Sequence, residues 1–323
     1  MGPRLIDVLK LDAANYRRHA MHAEDRAWVE KNCYFDIWIE VVHAVGCEPY
    51  AMSPVVVALD WVGDQWTFFK PAHTDLWDLY GLDVQELNCW KPLLELAKEH
   101  LAGGRLISTE ADAWWLPDVS GTDYRTQHTK STIVLTSLDV ERQKLGYFHN
   151  AGYFELTGED FVKTFRLDID PPDPTFMPFF AETVATDRVV KRSDGELKEL
   201  SIAMLRRHLA RRPKDNPVAR FAARFERDLP ELQAKGLAYY HAYAFATVRQ
   251  LGASAEVMAM YLAWLDAAKF DGAIAAYTEL SGAAKSFILK AARAVNSKKP
   301  FAPDFVPWIA AYDRAIANLV ERV

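Results

Sequence analysis

The chain has 323 residues, half of them hydrophobic and a quarter charged, with a formal net charge of −6. This globular composition excludes collagen-like, low-complexity and intrinsically disordered proteins, and the length suits one large domain or two smaller ones. No apolar run approaches the length of a membrane span, and the N-terminus lacks a signal-peptide core, so the sequence predicts a cytoplasmic protein without membrane segments. Three cysteines without zinc-ligand spacing predict reduced thiols and no metal site.

The first half of the chain is predicted to be α+β. A helix is predicted over residues 32–45, because Asn32 suits the N-cap and the apolar positions that follow are spaced four apart. A second helix is predicted over 92–102. Predicted strands follow at 105–111, 131–138, 145–148 and 153–156, with a hairpin around 139–144. The segment 157–160 then has capping-box spacing for a short helix.

The second half is predicted to be entirely helical. The segment 169–180 holds four prolines in twelve residues, which indicates a linker. Beyond it, Ala-rich amphipathic segments are separated by Gly and Pro, a pattern typical of an antiparallel helical bundle. The sequence therefore predicts two domains, 1–175 and 176–323.

Charge is distributed unevenly between these predicted domains. Residues 1–175 carry a net charge of −12 and residues 176–323 a net charge of +6, and eight basic residues fall between Arg206 and Arg227. An acidic protein with one basic stretch is not expected to bind nucleic acid in bulk, but such a stretch suits an acidic partner. The simpler interpretation is a solvated helix face.

Cys33 is the candidate nucleophile. As the first residue after a helix N-cap, it lies beside unpaired backbone N–H groups, which stabilise the thiolate and can receive the oxyanion of a tetrahedral intermediate. The alternative is that Cys33 is a small apolar residue at the start of a buried helix. Cys47 and Cys89 lack this setting and are expected to be structural.

A cysteine nucleophile needs a base, and two histidines stand out. His128 comes just before the predicted strand 131–138, and His149 ends the strand that pairs with it, next to Asn150. The chain order of Cys, His and Asn matches papain-like enzymes in general. The residues alone leave open whether His128 or His149 is the base.

Five stretches carry a resemblance to a known family: HAEDRAWVEKNCYFDIWIEVVHAVGCEP, GDQWTFFK, DLYGLDVQELNCWKPL, GRLISTEADAWWLPDVSGTDYRTQHTKSTI and LGYFHNAGYFELTGEDF. They resemble a bacterial family catalogued as a domain of unknown function, over roughly residues 10–165. That family is similar, more distantly, to the N-terminal domain of the butirosin-biosynthesis acyltransferase BtrH and to papain-like C39 peptidases. The resemblance implies a papain-like N-terminal domain.

The resemblance also implies roles for individual residues. Cys33 matches the nucleophile, His128 the base and Asn150 the third member, which leaves His149 as an alternative base or orienting group. Where C39 peptidases carry the oxyanion-hole Gln, this chain has Ala27. The alternative oxyanion donors are the side chains of Asn32 and Gln65.

The function implied is the transfer of an aminoacyl or acyl group from a phosphopantetheine thioester to an acceptor, through a thioester on Cys33. Related genes are often found beside carrier proteins and amino acid:carrier protein ligases, so the expected partner is an acidic carrier protein that delivers the phosphopantetheine arm, with no cofactor of the chain's own. Its expected docking residues are Arg206, Arg207, Arg211 and Arg212. The alternatives are a cysteine hydrolase, either peptidase or thioesterase, and a catalytically inactive module that binds the carrier protein.

Overall fold

A computed structural model describes residues 5–28, 32–169 and 180–323. The chain forms two compact units that interleave along the sequence. The first unit comprises Met1–Ala23, Cys33–Pro49 and Ala72–Ser193, and the second comprises Glu24–Asn32, Tyr50–Pro71 and Asp194–Val323. Within the described ranges, no helix is long and apolar enough to cross a membrane.

The elements are numbered in chain order. The described strands are β1 (Ile6–Asp7), β2 (Trp61–Val62), β3 (Gln65–Trp66), β4 (Asp83–Glu86), β5 (Arg105–Asp112), β6 (Lys130–Asp139), β7 (Lys144–His149), β8 (Gly152–Thr157) and β9 (Ala181–Ala185). The described α-helices are α1 (Cys33–Ala44), α2 (His73–Tyr80), α3 (Leu93–Ala102), α4 (Gly158–Thr164), α5 (Asp194–Leu209), α6 (Pro217–Lys235), α7 (Leu237–Ala246), α8 (Val248–Asp266), α9 (Asp271–Ser297) and α10 (Val306–Arg322).

The first unit is built on an antiparallel sheet in the order β4-β9-β5-β6-β7-β8, and β1 pairs with β6. The predicted hairpin is confirmed as β6 and β7, and a second hairpin joins β7 to β8. Its two-residue turn places Asn150 at a φ of 45°, a left-handed conformation that Asn tolerates better than most residues. The first unit is therefore α+β, as predicted.

The two faces of this sheet carry different helices. Ile133 and Leu135 of β6 pack into a core with Leu94 and Ala97 of α3, so their face is the α3 face. Successive side chains of a strand point to opposite faces, so Thr132, which precedes Ile133, points to the other face. Thr132 contacts Cys33 at the start of α1, and this second face is therefore called the α1 face.

Helix α1 begins and ends within one residue of its predicted bounds. Ile37, Val41 and Val42 are fully buried, as is Trp38 between them, because the helix is apolar around most of its circumference. Such a helix is stable only when it is covered on several sides. It packs on β6, β7 and β8.

The second unit contains helices α5–α10, which confirms the predicted C-terminal helical region. Its core is aromatic: the ring of Phe225 lies 4.9 Å from that of Phe287, which in turn lies 5.4 Å from that of Phe305. Helix α6 starts at a strong N-cap, where the Asn216 side chain accepts hydrogen bonds from two backbone N–H groups.

The division into units differs from the predicted domains 1–175 and 176–323 in two ways. Strand β9 pairs with both β4 and β5, so the first unit continues to Ser193. The segment Tyr50–Pro71 joins the helical unit because Trp61 packs edge-to-face against Phe221 at 5.2 Å and Arg220 donates to Asp60. Most of the predicted linker, residues 170–179, lies outside the described residues.

Candidate active site

Cys33 is the first residue of α1, and its Sγ lies 3.7 Å from Oγ1 of Thr132 on β6. The residue is partly exposed. The first backbone N–H groups of an α-helix have no intrahelical acceptor, so this end of α1 offers donors to an oxyanion formed at the cysteine. Cys33 therefore lies at a helix N-terminus, which is the feature that made it the candidate nucleophile.

Strand register decides which candidates share a face with Cys33. On β6, Lys130 and Thr132 lie on the α1 face and Ser131 lies on the α3 face. Asp112 of β5 pairs with Lys130. Because paired residues of an antiparallel ladder point to the same side, Asp112 also lies on the α1 face.

His128 is held by that carboxylate. Its Nδ1 lies 2.6 Å from Oδ2 of Asp112, and its ring stacks on Trp114 with the centroids 4.5 Å apart. A carboxylate can only accept, so Nδ1 carries a proton, and in the neutral imidazole Nε2 is the acceptor. The His128 side chain is 68% exposed. It is thus an oriented imidazole whose basic nitrogen is open to an incoming group.

Helix α1 runs along β6 in the direction of that strand. In its C-terminal half, Glu40 accepts a hydrogen bond of 2.6 Å from Tyr16, and the Tyr16 ring packs against Phe148, which pairs with the middle of β6. Cys33 lies at the other end of the helix. Since His128 precedes β6, Cys33 and His128 lie toward the same end of the sheet.

His149 lies on the opposite face. It pairs with Ile133, a residue of the α3 face, and its Nε2 accepts a hydrogen bond of 2.6 Å from Ser131. Its Nδ1 lies 2.5 Å from Oδ2 of Asp118, and the imidazole is 1% exposed. The sheet therefore separates His149 from Cys33, whereas His128 is bonded to Asp112, which lies on the face of the cysteine.

Asp118 also accepts a hydrogen bond of 2.5 Å from the Tyr147 hydroxyl. Burial, together with the charge of Asp118 and this hydrogen bond, raises the pKa of Tyr147, so the phenol remains a donor at any ordinary pH. The buried carboxylate consequently has a partner on each oxygen. Sequence reasoning missed Asp118 and Ser131, and the contact of Ser131 with His149 depends on the register of β6 and β7.

The other predicted site residues are placed elsewhere. Asn150 occupies the β7–β8 turn, so the oriented partner of His128 is Asp112 rather than Asn150. Asn32 and Gln65 belong to the second unit. The Asn32 side-chain amide donates to the carbonyl of Phe69 at 2.8 Å, which engages one of its donors.

A second polar group lies beside Cys33 in the sequence and was not predicted. The Tyr34 hydroxyl lies 2.8 Å from both carboxylate oxygens of Glu182 on β9, and His73 Nε2 lies 3.0 Å from Glu182 Oε1. Glu182 is 1% exposed and pairs with Ser108 of β5. Burial and the charge of Glu182 raise the pKa of Tyr34. This network fixes the first turn of α1 to the sheet.

The two other cysteines differ from Cys33 in their surroundings. Burial raises the pKa of the Cys47 thiol, against an opposing effect of nearby Lys191 and Arg192. Burial and the charge of Glu86 raise the pKa of Cys89. Both thiols are therefore poor nucleophiles near neutral pH.

A cavity of about 560 Å³ opens in the first unit where β5 and β6 meet the end of α4. Its lining includes the apolar side chains of Leu93, Ala111 and Trp115, and also His128 and Asp112. That volume suits a small-molecule group. Among the described residues, no cluster of His, Cys, Asp or Glu is arranged to hold a metal ion.

The DUF1839 N-terminal domain matches residues 17–186, and the DUF1839 C-terminal domain matches residues 194–321. The chain belongs to the DUF1839 family. Membership of a family described as a domain of unknown function is therefore confirmed. The gap between the two DUF1839 domains contains Ser193, where the last segment of the first unit ends. Comparison with curated proteins returned no match.

The basic stretch lies within the DUF1839 C-terminal domain, at the end of α5 and in α6. Part of its charge is engaged within the second unit: Arg206 donates to the backbone carbonyl of Val323, and Arg212 donates to that of Leu209. Arg206, Arg207 and Arg211 are exposed.

Proposed function

We propose that this protein transfers an aminoacyl or acyl group from a phosphopantetheine thioester to an acceptor, with Cys33 as the nucleophile. One observation carries the proposal: Cys33 contacts Thr132 on the sheet face that also carries Asp112, the carboxylate bonded to His128, and Asp112 pairs with Lys130 at the same end of β6. Nucleophile, base and orienting group are the three roles that acyl transfer needs.

In the first step the Cys33 Sγ attacks the thioester carbonyl while its proton passes to Nε2 of His128. The carbon–sulfur bond of the donor breaks, and the departing pantetheine thiolate takes the proton from His128. Exchange between two thioesters has similar leaving groups on both sides, so it needs less acid assistance than amide cleavage. Asp112 holds the imidazole in the tautomer that this step requires.

In the second step an amine or hydroxyl of the acceptor attacks the acyl group on Cys33. His128 takes the proton of the acceptor and returns it to the cysteine as the carbon–sulfur bond breaks. The N–H groups at the start of α1 stabilise the oxyanion in both steps. Water in place of the acceptor would make the same site a hydrolase.

A papain-like fold of the first unit is part of the proposal. It is supported by an α-helix that begins with Cys33 and packs on an antiparallel sheet, with the candidate base just before one of the central strands. The proposal also includes a similarity to BtrH and to C39 peptidases, and a gene for an amino acid:carrier protein ligase next to that of this protein. We further propose that an acidic carrier protein docks through charge complementarity on the basic stretch, at Arg206, Arg207, Arg211 and Arg212.

A specific observation favours a second candidate, a module that binds the carrier protein without catalysis. The side chain that faces the Cys33 sulfur is Thr132, a hydroxyl that is a poor base, and the His128 imidazole is bonded to Asp112 and stacked on Trp114. In this candidate the thiol is a contact residue rather than a nucleophile.

Incubation with glycyl-pantetheine, followed by intact-mass measurement and peptide mapping, separates the candidates. An enzyme should form a glycyl adduct on Cys33 that is absent in Cys33→Ala and retained in the matched variant Cys47→Ala. Release of free glycine without an added acceptor would identify a hydrolase. A folded protein that forms no adduct and releases no glycine would exclude the Cys33 mechanism and favour the binding module.

A further inference from the structure

The α3 face of the sheet holds a hydrogen-bonded chain of three side chains that the proposed function does not use. The Ser131 hydroxyl donates to Nε2 of His149 at 2.6 Å, and Nδ1 of His149 donates to Oδ2 of Asp118 at 2.5 Å. The carboxylate accepts only, so it fixes the tautomer in which Nε2 is the acceptor. This is the order of contacts that activates a serine in hydrolases of unrelated folds.

The orienting part of the chain is unusually well fixed. Asp118 is held on its other oxygen by Tyr147, and the Asp118 side chain is 3% exposed. His149 is buried between two strands. An imidazole that cannot rotate keeps Nε2 aimed at Ser131, which is the preorganisation that proton transfer needs.

Ser131 lies next to the cavity of the first unit. Its chain neighbours Thr129 and Lys130 line that cavity, as does Ala111, its partner on β5. Since Ala111 and Ser131 form a pair, their side chains point to the same face. Ser131 is 8% exposed and is not itself among the residues that line the cavity, so the route proposed for a substrate runs past Lys130 at the start of β6.

The lining of the cavity indicates the substrate. Its apolar walls, Leu93, Ala111 and Trp115, suit a short apolar acyl chain. The lysines of the lining are paired with carboxylates, Lys130 with Glu110 and Lys163 with Asp168. Among the described residues, its other charged side chains are Arg166 and Asp112, so the lining carries no excess positive charge. An uncharged ester therefore fits this cavity better than a phosphorylated one.

We infer that Ser131, His149 and Asp118 form a second nucleophilic site, which hydrolyses small acyl esters independently of Cys33. The Ser131 Oγ attacks the ester carbonyl, and its proton passes to His149 and then to the departing alcohol as the ester bond breaks. Water then attacks the acyl-serine, gives a proton to His149, and releases the carboxylic acid as that proton returns to Ser131. No co-reactant besides water is needed.

The test uses a fluorophosphonate probe, which reacts with activated serines, and hydrolysis of p-nitrophenyl butyrate. Peptide mapping of the full-length protein should place the phosphonate on Ser131. The label should remain in Cys33→Ala and disappear in Ser131→Ala, with at least a 100-fold fall in ester hydrolysis. The matched control is Ser137→Ala, which removes a hydroxyl of equal exposure from the same strand and should leave both signals unchanged.

Mapping on the unchanged protein makes the result independent of whether a variant folds. A folded protein without label on Ser131 would overturn the inference and leave the three side chains as a structural network. So would ester hydrolysis that persists in a folded Ser131→Ala protein. Loss of ester hydrolysis in Cys33→Ala but not in Ser131→Ala would assign the activity to the α1 face instead.

Discussion

The first unit has a histidine–aspartate pair on each face of one sheet, and the two pairs differ mainly in their contact with water. His128 and Asp112 lie near the surface, where the imidazole is 68% exposed. His149 and Asp118 are almost completely buried, with additional partners on both residues. Exposed pairs contribute little to stability and are free to exchange protons, whereas a buried pair is costly to break. The exposed pair is therefore expected to contribute less to stability than the buried pair.

The largest expected effect separates the two faces by activity. Cys33→Ala should lower thioester transfer by about 1,000-fold or more, and His128→Ala by about 100-fold to 10,000-fold, because the nucleophile and its base are lost. His149→Gln, on the α3 face, should stay within a few-fold once the folded fraction is taken into account. Single-turnover rates with glycyl-pantetheine measure all three. If His149→Gln is inactive while His128→Ala remains active, His149 is the base instead of His128.

The second prediction separates the faces by stability. Asp118→Ala leaves His149 and Tyr147 with buried, unpaired donors and should lower the free energy of unfolding by about 3 to 5 kcal/mol. Asp112→Ala removes an exposed pair and a helix cap, and should cost about 1 kcal/mol. Urea unfolding followed by circular dichroism measures both. Equal costs would show that the difference in exposure has no energetic consequence.

The third prediction concerns a buried charge on the α1 face. Burial lowers the pKa of His22, but hydrogen bonds to Asp36 and Glu40 outweigh it and raise the pKa from 6.5 to about 9. A raised pKa stabilises the fold fully below pH 6.5, and this contribution is lost as the pH rises through 9. The shift corresponds to about 3 kcal/mol.

Unfolding free energies measured between pH 6 and 10 should therefore fall over that window, and the fall should be absent in His22→Gln. The variant is expected to be less stable than the unchanged protein at pH 6 and to approach it at pH 10. A pH profile that is the same in both proteins would show that His22 is not charged in the fold.

The smallest expected effect lies in the second unit. Arg207→Glu together with Arg211→Glu should raise the KM for a loaded carrier protein several-fold and leave reaction with glycyl-pantetheine unchanged, because docking depends on charge and the chemistry does not. Lys285→Glu with Lys290→Glu, on exposed positions of α9, gives the same charge change as a control. Raising the salt from about 0.05 to 0.5 M should mimic the first pair, since the Debye length falls from about 14 to about 4 Å.

Local pattern predicted much of the first unit. The start of α1 at Cys33 and the β6–β7 hairpin follow from apolar spacing and from the polar turn between the strands. Cap residues and alternation act over a few residues, so they are visible in the sequence. The same local signals predicted that His128 precedes β6 and that Asn150 follows β7.

Partners that depend on register were not predicted. Asp112 holds His128 because β5 pairs with β6 at Lys130, and that pairing depends on β-ladder register rather than on local sequence. Strand β9 was missed because it follows the proline-rich segment and pairs with strands about 75 to 100 residues earlier in the chain. The assignment of residues 50–71 to the helical unit likewise depends on distant Phe221 and Arg220.

The interleaving of the two units has a consequence for folding during synthesis. The ribosome produces residues 24–32 and 50–71 long before the helices from Asp194 onward to which they belong. Strand β4 also has no pairing partner until β9 has been synthesised. Early segments therefore emerge with apolar surface that has nowhere to pack, which favours chaperone capture or aggregation of truncated chains. A polypeptide that stops at residue 175 would be such a chain, with an unpaired edge on β5.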